Sequence, residues 1–575
     1  METWFLIVVT ACLAFLFRAF ISLRPKSKLP PGPQGVPIIS SLQWLRKISS
    51  PEFEPTLRSL YSKCGQIITL HLGSRPFIFV SSHALAHQAL VQNGAIFADR
   101  PELLPIAKVM TTFKYNINSS GYGPFWRTLR RNLTSQLLHP SRLKEYSHAR
   151  KWALGILLNR LSSGSDSAIK VVDNIQFAMF CFLVHLCFGV YLEESKIRGI
   201  EDVQKEVLVS FVHNEILNFF PNLSRIFLRK RWDELLRLNK NQHDLLVPLI
   251  RARKEITNHD TEKSKGIMTY VDTLLNLEIQ DDDGKSKRKL TDEELVSASS
   301  EILSAGTDTT STTLEWIMAN IVKYPNIQAK LFDEIRQVIG PDAEQVEEED
   351  LAKIPYVKAV VLEGLRRHPP GHFVLPHSVT QDVELGGYVV PKNAVVNFAV
   401  AEMGWDPNVW EDPMEFKPER FMLTDGQVEF DLTGNREIKM MPFSAGRRMC
   451  PGMGLAILIV EYFVANLVWK FQWRVAEGHE VDLSEGRESP SPSGPAPHWG
   501  KIPASNGDGD WDRDRNKSPS GNSNKDDAKI YPVPVLVPAS QLEEISPSPS
   551  PSPSPSPFLR PQLEKNSPPH LSVLI

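Results

Sequence analysis

The residues with the clearest chemical potential form one short stretch, residues 443–452, which reads FSAGRRMCPG. Its cysteine, Cys450, follows two arginines, stands between two glycines and precedes a long apolar run, residues 455–468. A proline directly after the cysteine is typical of the first turn of a helix, whose backbone N–H groups and dipole stabilise a thiolate. The pattern therefore predicts a thiolate that is kept away from water and binds another group.

The other residues of this stretch fit a flat partner with carboxylates at its edge. Gly446 and Gly452 carry no Cβ, so the backbone can turn sharply and lie close to a ring. Arg448 would reach the ring edge, where its forked guanidinium suits a carboxylate, and Phe443 would cover the sulfur. We interpret Cys450 as the axial ligand of a haem iron. An inert core thiol is the usual alternative for a lone cysteine before an apolar helix, but the four other fixed positions argue against it.

The full pattern, F-x-x-G-x-R-x-C-x-G, resembles the haem-binding signature of the cytochrome P450 superfamily of haem-thiolate monooxygenases. The resemblance implies a mainly α-helical fold with minor β structure, a bound haem b (iron protoporphyrin IX) and O2 as co-substrate. It also implies that Cys450 is the iron ligand. A thiolate ligand pushes electron density onto iron and favours cleavage of the O–O bond, so one oxygen atom would enter an apolar substrate.

A long helix is predicted after a charged loop. Thr291 and Glu294 have the spacing of a capping box, and Leu290 and Leu295 that of a hydrophobic staple. No proline follows until Pro325, which allows about 33 residues and roughly 50 Å of helix. Such a helix can cross a whole domain.

Residues 305–310, AGTDTT, lie in the middle of this helix although glycine and small hydroxyl residues are poor helix formers. Hydroxyl side chains can bond back to the carbonyl four residues earlier and bend the helix, which would leave room for O2. The stretch resembles the superfamily's oxygen-binding motif. The resemblance implies two candidate catalytic residues: Thr309, which hydrogen-bonds the dioxygen, and Asp308, which helps to deliver protons. A polar helix face in solvent is the alternative.

Two further motifs resemble the superfamily. Trp126 and Arg130 form W-x-x-x-R, one helical turn apart on one face, and the resemblance places this pair at the haem propionates. Alone, the pair would be taken for a surface arginine beside a half-buried tryptophan. Glu363 and Arg366 form E-x-x-R, and Arg420 follows within PERF. The resemblance implies that these three residues form a buried structural triad that secures the loop bearing the cysteine, whereas exposed Glu–Arg pairs contribute little.

One position departs from the family pattern. His377 follows Pro376 where many members have an arginine that bonds a propionate. A histidine can donate one hydrogen bond there, but it titrates near neutral pH. We therefore predict that His377 contacts the haem and makes haem retention sensitive to pH.

The N-terminus predicts a membrane anchor. Residues 4–23 are almost wholly apolar, which gives about 30 Å of helix, enough to span a bilayer. The basic residues that follow predict that the rest of the chain faces the cytosol. A cleaved signal peptide is the alternative, but Glu2 and the lack of a small-residue cleavage site argue against it. We expect a single-pass anchor over residues 1–24 in the endoplasmic reticulum membrane and a basic, proline-rich hinge over residues 25–34.

The composition changes abruptly near residue 485, where the family resemblance ends. We predict a catalytic domain over residues 35–486 and a disordered tail over residues 487–575, because Pro, Ser, Gly, Asn and Asp cannot bury enough apolar surface to fold. Only residues 530–537 have a strand-like pattern in this tail. The β-hairpin that closes the family's domain is therefore predicted to be absent.

Composition and missing motifs limit the partners. A net charge of -3 gives no reason to expect nucleic acid, and five unclustered cysteines argue against a disulfide framework. No G-x-G-x-x-G fingerprint follows a predicted strand. Electrons must therefore come from a separate protein, by family analogy an NADPH-cytochrome P450 reductase on the same membrane.

The hinge and the two glycine motifs most resemble the plant microsomal branch of the superfamily, and within it family 89, subfamily A. The segments expected to line the pocket are largely apolar, which indicates a small hydrophobic substrate. Two other functions stay open. A hydroperoxide isomerase or dehydratase needs no reductase, but such relatives usually lack the threonine at the position of Thr309. A non-catalytic haem or ligand binder, or an unstable variant, would result if the missing hairpin leaves the pocket open.

Overall fold

The computed structural model describes most of the chain between residues 52 and 475. The described ranges are 29–33, 52–72, 75–109, 116–163, 171–218, 221–259, 267–280, 286–475, 480–483 and 499–503, with a few single residues among the first 50. The predicted anchor, most of the hinge and most of the predicted tail lie outside these residues. The described part is mainly helical with small sheets, which confirms the predicted balance of α and β structure.

Helices account for most of the described residues. They are α1 (Phe53–Cys64), α2 (His83–His87), α3 (Pro105–Val109), α4 (Pro124–Asn132), α5 (Pro140–Glu145), α6 (Ser147–Ser163), α7 (Val171–Phe188), α8 (Glu194–His213), α9 (Pro221–Phe227), α10 (Arg229–His259), α11 (Tyr270–Leu275), α12 (Asp292–Lys323), α13 (Pro325–Ile339), α14 (Pro355–Arg367), α15 (Val400–Gly404) and α16 (Met453–Lys470). Short 3₁₀ turns at Pro418–Phe421 and Gly446–Arg448 lie in the loops that lead to the cysteine.

The strands form one four-stranded sheet and several two-stranded ones. They are β1 (Ile67–Leu72), β2 (Arg75–Val80), β3 (Glu278–Gln280), β4 (Lys287–Lys289), β5 (His377–Ser378), β6 (Val383–Leu385), β7 (Tyr388–Val390), β8 (Val395–Phe398), β9 (Phe471–Val475) and β10 (Trp499–Pro503). The largest sheet has the order β1-β2-β8-β5, in which β2 and β8 are parallel and the other pairs antiparallel. Its β8 and β5 strands bring His377 beside residues 97–100, where the Ser378 N–H donates to the Asp99 carbonyl at 2.8 Å.

The predicted long helix is confirmed as α12, which spans 32 residues. Thr291 caps it, since its hydroxyl accepts the Glu294 N–H at 3.3 Å and the Glu294 carboxylate accepts the Thr291 N–H at 2.8 Å. The helix packs against α7, α10, α14 and α16. Of the helices described, α7 and α16 are long and apolar enough to cross a membrane, but both are mainly buried in the protein. Their apolar composition is explained by this packing in the core.

A buried ion triad joins α14 to the loops that precede the cysteine. Arg366 donates to both carboxylate oxygens of Glu363 at 2.7 and 2.8 Å, and Arg420 donates to the same carboxylate at 3.1 Å. The side chains of Glu363 and Arg366 have no solvent exposure. Arg366 also donates to the carbonyls of Gly404 and Pro413 at 2.6 and 2.8 Å. The triad therefore fixes the path of the chain toward residues 443–452.

The structure corrects the prediction of disorder for one part of the tail. Residues Trp499–Pro503 form β10, which pairs antiparallel with β9 from Trp499 opposite Val475 to Pro503 opposite Phe471. An antiparallel pair therefore does form after α16. Average composition conceals this strand, because pairing with an edge strand needs only backbone N–H and C=O groups.

Replacing Glu363 with alanine should lower the free energy of unfolding by about 3–5 kcal/mol, because Arg366 would remain buried without its carboxylate. Urea denaturation measures this loss. The matched control is Glu145→Ala, which breaks the Arg142–Glu145 pair of the same i,i+3 spacing but with both side chains more than a third exposed. The control should cost less than about 1 kcal/mol. Equal losses in the two variants would contradict a special role for the triad.

Candidate active site

The cysteine stretch folds into a closed loop at the N-terminus of α16. The Cys450 N–H donates to the Phe443 carbonyl at 2.8 Å, which closes the loop. Burial raises the pKa of the Cys450 thiol, whereas the backbone N–H groups of Gly452 and Met453 and the charge of Arg130 lower it. The predicted stabilisation of a thiolate is thus present, but burial outweighs it. A thiolate at this position needs a further positive partner, such as a metal.

Gly446 is required by the backbone of this loop. Its φ of 67° lies in the left-handed region, and a Cβ would stand 1.9 Å from the Leu90 carbonyl oxygen. Gly452 differs, since its φ is -86° and a Cβ would lie 3.9 Å from the Cys450 sulfur. The contacts within the protein therefore explain Gly446 but not Gly452.

Arg448 reaches back from the loop into the protein and binds backbone carbonyls. Its Nε, Nη1 and Nη2 donate to the carbonyls of Ala98, Ile117 and Ser120 at 2.7, 2.9 and 2.6 Å. Its guanidinium also lies 4.4 Å from the ring centre of Trp126. A guanidinium has five N–H groups, so these contacts leave donors for another acceptor.

The W-x-x-x-R pair lies beside the same loop. The Trp126 indole N–H donates to the Ile117 carbonyl at 3.1 Å, and Arg130 donates to the Met449 carbonyl at 2.5 Å. Both residues come from α4, and the structure brings them together with Cys450 and Arg448. The buried position of Trp126 excludes the surface arrangement that the motif alone would suggest.

Arg100 completes a cluster of positive charge with Arg130 and Arg448. Arg100 donates to the carbonyls of Asn118, Leu375 and Pro376 at 2.7, 2.9 and 2.8 Å. Burial, and then the neighbouring Arg448, lower the pKa of Arg100 to about 9, and burial lowers the pKa of Arg448 to about 10. Positive charges are thus held close together and away from water.

His377 is buried against the backbone and close to the charge of Arg100. Its Nδ1–H donates to the Phe97 carbonyl at 2.6 Å, and the side chain is fully buried. Burial, followed by the charge of Arg100, lowers the pKa of His377 to about 3. The imidazole is therefore neutral near physiological pH, which argues against titration of His377 in that range, and its contact with the haem stays a prediction. The sequence did not reveal that Arg100 lies close enough for its positive charge to lower the pKa of His377.

The oxygen-motif stretch of α12 shows the predicted back-bonding. The hydroxyls of Thr307, Thr309 and Thr313 donate to the carbonyls four residues earlier at 2.7, 2.7 and 2.8 Å. Thr309 is exposed although it lies in the middle of the domain, and it lines a pocket with Phe443, Leu365 and other mainly apolar side chains of α14 and α16. This face of the helix therefore borders a cavity near the cysteine loop.

Asp308 interacts with charged residues of α8. Burial raises its pKa to about 6, Lys205 of α8 opposes this shift and Glu201 adds to it. The structure therefore places Asp308 in the electrostatic environment of α8, and Thr309 at the pocket.

Comparison with known proteins decides the family. The Cytochrome P450 family model matches residues 30–495. The chain belongs to the cytochrome P450 family. It is accordingly an oxidoreductase of the monooxygenase type, and its family match extends beyond the boundary near residue 485 that composition suggested.

Several P450 relatives match about four-fifths of this chain. Cytochrome P450 89A9 of Arabidopsis thaliana is 48% identical over 84% of this chain and 96% of its own length, which confirms the resemblance to family 89, subfamily A. The geranylhydroquinone 3''-hydroxylase CYP76B74 of Arnebia euchroma is 31% identical over 83% of this chain and 94% of its own. A solved zebrafish cytochrome P450 with progesterone has a TM-score of 0.63 at 22% identity and covers 79% of this chain and 100% of its own, which shows a shared fold.

The site of this P450 fits the haem that the family implies. Arg100, Arg130 and Arg448 concentrate positive charge beside Cys450, and Asp99 and Glu301 are the carboxylates that interact with Arg448. Such a cluster suits the two carboxylates of a porphyrin. In the described residues no three His, Cys, Asp or Glu side chains are grouped to hold a metal ion. A single thiolate suits a metal that a macrocycle already coordinates.

The sequence did not single out two residues of this site. Arg100 lies in FADRP and Glu301 in SSEIL, and neither stretch belongs to a motif that we recognised. Both bind backbone groups of the segment at residues 116–120. A side chain that binds a backbone group needs no particular residue type as its partner. No sequence pattern could therefore have predicted these two contacts.

Replacing Gly446 with alanine should destabilise this P450 by several kcal/mol, because the Cβ would meet the Leu90 carbonyl and alanine disfavours a positive φ. The loss is measured by thermal unfolding and by the yield of folded protein. Gly155→Ala is the control, since Gly155 lies inside α6 and a Cβ there meets nothing within 4 Å. That variant should be neutral or stabilised by up to about 1 kcal/mol. A Gly446→Ala protein as stable as the control would contradict the assignment.

His377→Gln should make the free energy of unfolding less dependent on pH below pH 6.5. The folded-state pKa of His377 is about 3, below the roughly 6.5 of an unfolded histidine, so its contribution is present above pH 6.5 and is lost as the pH falls toward 3. The wild-type free energy of unfolding should fall more steeply than that of the variant, by up to about 1.4 kcal/mol per pH unit. Urea denaturation between pH 6.5 and 5 measures both slopes, and identical slopes would contradict a buried neutral imidazole.

Proposed function

We propose that this P450 inserts one atom of O2 into a small apolar molecule, with haem b held by Cys450 and with electrons from NADPH delivered by a separate reductase. The observation that supports this most is the meeting of a cysteine thiol, backbone N–H groups and three arginines at one end of α16. That donor set provides one thiolate for iron and several cations for propionates. Thr309 of the long helix and Phe443 of the cysteine stretch line the same pocket.

Bound through the Cys450 thiolate, a haem would supply one-electron chemistry and favour cleavage of the O–O bond. The chain's own residues hold and shield it. Cys450 would supply the ligand, and Arg448 and Arg130 would supply N–H donors for the propionates, while the Trp126 ring packs against the Arg448 guanidinium. The apolar lining around Phe443 excludes water, which strengthens every charge interaction inside the site.

Thr309 and Asp308 are proposed to handle protons. The Thr309 hydroxyl donates its hydrogen to the Ala305 carbonyl, so its oxygen lone pairs remain available to accept a hydrogen bond from a proton-carrying group in the pocket. The pKa of Asp308 is raised to about 6, close to the pH at which a carboxyl group can both take up and release protons. Lys205 and Glu201 place charged groups on the α8 side of Asp308, from which protons can enter.

The surroundings of the enzyme are part of the proposal. We infer a single-pass anchor over residues 1–24, a hinge over residues 25–34, a catalytic domain on the cytosolic face of the endoplasmic reticulum and NADPH-cytochrome P450 reductase as partner. The family's typical membrane attachment supports this placement. The hinge is attached to the large sheet, since the Thr69 N–H donates to the Pro31 carbonyl at 2.8 Å. This contact would hold the sheet close to the membrane.

The test of the ligand assignment is the absorption spectrum of the reduced protein with carbon monoxide. The wild type should show the strongly red-shifted Soret band of thiolate-ligated haem. Cys450→Ser should lose that band because a serine hydroxyl does not replace a thiolate. The matched control is Cys64→Ser, which removes another half-buried free thiol and should keep the band. Survival of the band in Cys450→Ser would overturn the proposal.

The reaction is tested by turnover with reductase, NADPH and O2. A binding-spectrum titration against lipids, terpenoids, phenolics and tetrapyrroles selects the substrate, and its oxygenated product should require all three components. Thr309→Ala should lower product formation relative to NADPH consumption, because the proton donor at the pocket is lost. Rapid turnover of a hydroperoxide without NADPH, together with no NADPH-dependent product, would instead indicate an isomerase or dehydratase.

A further inference from the structure

Glu301 of α12 binds a segment that lies far away in the chain. It shares a helix face with Ala305 and Thr309, because residues four apart on a helix are neighbours, and it precedes Thr309 by about 12 Å along the axis. Its Oε2 accepts the Ile117 N–H at 2.8 Å, and its Oε1 accepts the Asn118 N–H at 2.6 Å. Both carboxylate oxygens are therefore committed to adjacent backbone donors.

One peptide group links this carboxylate to the arginine cluster. The Asn118 N–H and the Ile117 C=O belong to the same peptide unit, which is planar and trans, so they point in opposite directions. The Ile117 carbonyl accepts Arg448 Nη1 at 2.9 Å and Trp126 Nε1 at 3.1 Å. The peptide dipole thus has a negative charge at its N–H end and a positive charge at its C=O end, the favourable orientation at both ends.

We propose that Glu301 is a positioning residue that orients Arg448 and Trp126 toward the haem through the Ile117–Asn118 peptide. The inference rests on the proposed haem site and adds a residue that lies outside the motifs recognised in the sequence. Without the carboxylate, two backbone N–H groups lose their acceptor. The peptide can then rotate, and its carbonyl no longer holds the two donors in a fixed place.

The charges around Glu301 make its protonation state important. Arg448 and Arg100 face it, and Arg130 and Tyr270 also interact with its charge. Burial raises the pKa of Glu301 to about 7, while the two N–H bonds and the two arginines lower it. Because the bonded arrangement favours the ionised form, ionisation favours the bonded arrangement by linkage. A protonated carboxyl turns one oxygen into a donor, so the link weakens as the pH falls through about 7.

Glutamine at this position imitates the protonated carboxyl, since it also offers one acceptor and one donor group. The experiment measures the rate at which haem leaves the full-length holoprotein for an excess of a colourless haem-binding acceptor protein, at pH 8 and pH 6. The wild type should lose haem roughly five- to tenfold faster at pH 6, the effect of losing one ordinary hydrogen bond. Glu301→Gln should lose haem at the faster rate at both pH values.

The matched control is Glu293→Gln, which neutralises an exposed carboxylate on the same helix and should retain the wild-type rates and pH dependence. A Glu301→Gln protein with the wild-type rate at pH 8 would overturn the inference, as would a wild type whose rate does not change with pH. The wild-type pH dependence needs no variant, so the inference stays testable if Glu301→Gln folds poorly.

Amide hydrogen exchange separates this inference from the proposed function. Exchange at residues 116–120 should be faster in Glu301→Gln than in the wild type, with or without haem, and unchanged exchange would refute the contact itself. A wild type that binds no haem would overturn the proposed function. A wild type with the red-shifted carbon monoxide band, and variants that hold haem equally well, would refute only the role of Glu301.

Discussion

Positive charge held away from water beside a thiol is the constraint on which the site depends. Arg130 interacts with Cys450, Arg448 with Arg130 and Arg100 with Arg448, and burial makes each of these charges costly unless it is well hydrogen-bonded. The fold meets this demand with peptide carbonyls, since Arg448 and Arg100 each donate to three of them. The loops before α4 and before β5 are therefore fixed by the charges that they solvate, and the cluster remains suited to an anionic cofactor edge.

The features that the sequence predicted are those formed by contacts between particular side chains and their neighbours. Thr291 and Glu294 cap α12 because their polar groups satisfy the first N–H groups of any helix. Glu363, Arg366 and Arg420 meet in a triad as the family resemblance implied. The fold class followed from the family that residues 443–452 resemble.

The parts that were missed depend on the backbone or on distant neighbours. His377 was expected to titrate, but its pKa is set by burial and by Arg100, which the β5–β8 pairing brings close. The strand at residues 499–503 is formed by pairing with β9, and composition cannot report a partner. Glu301 and Arg100 bind peptide groups, which carry no residue identity. A single sequence contains no signal for contacts of this kind.

The segment at residues 116–120 has a consequence for how such enzymes diversify. It holds Arg448, Arg100 and Trp126 through its carbonyl groups, so the half-buried side chain of Asn118 can be exchanged while those carbonyl groups stay in place. Mutational drift at this position can reshape nearby surfaces and leave the cofactor cradle intact. A lineage can in this way acquire new chemical preferences without rebuilding the machinery that binds its pigment.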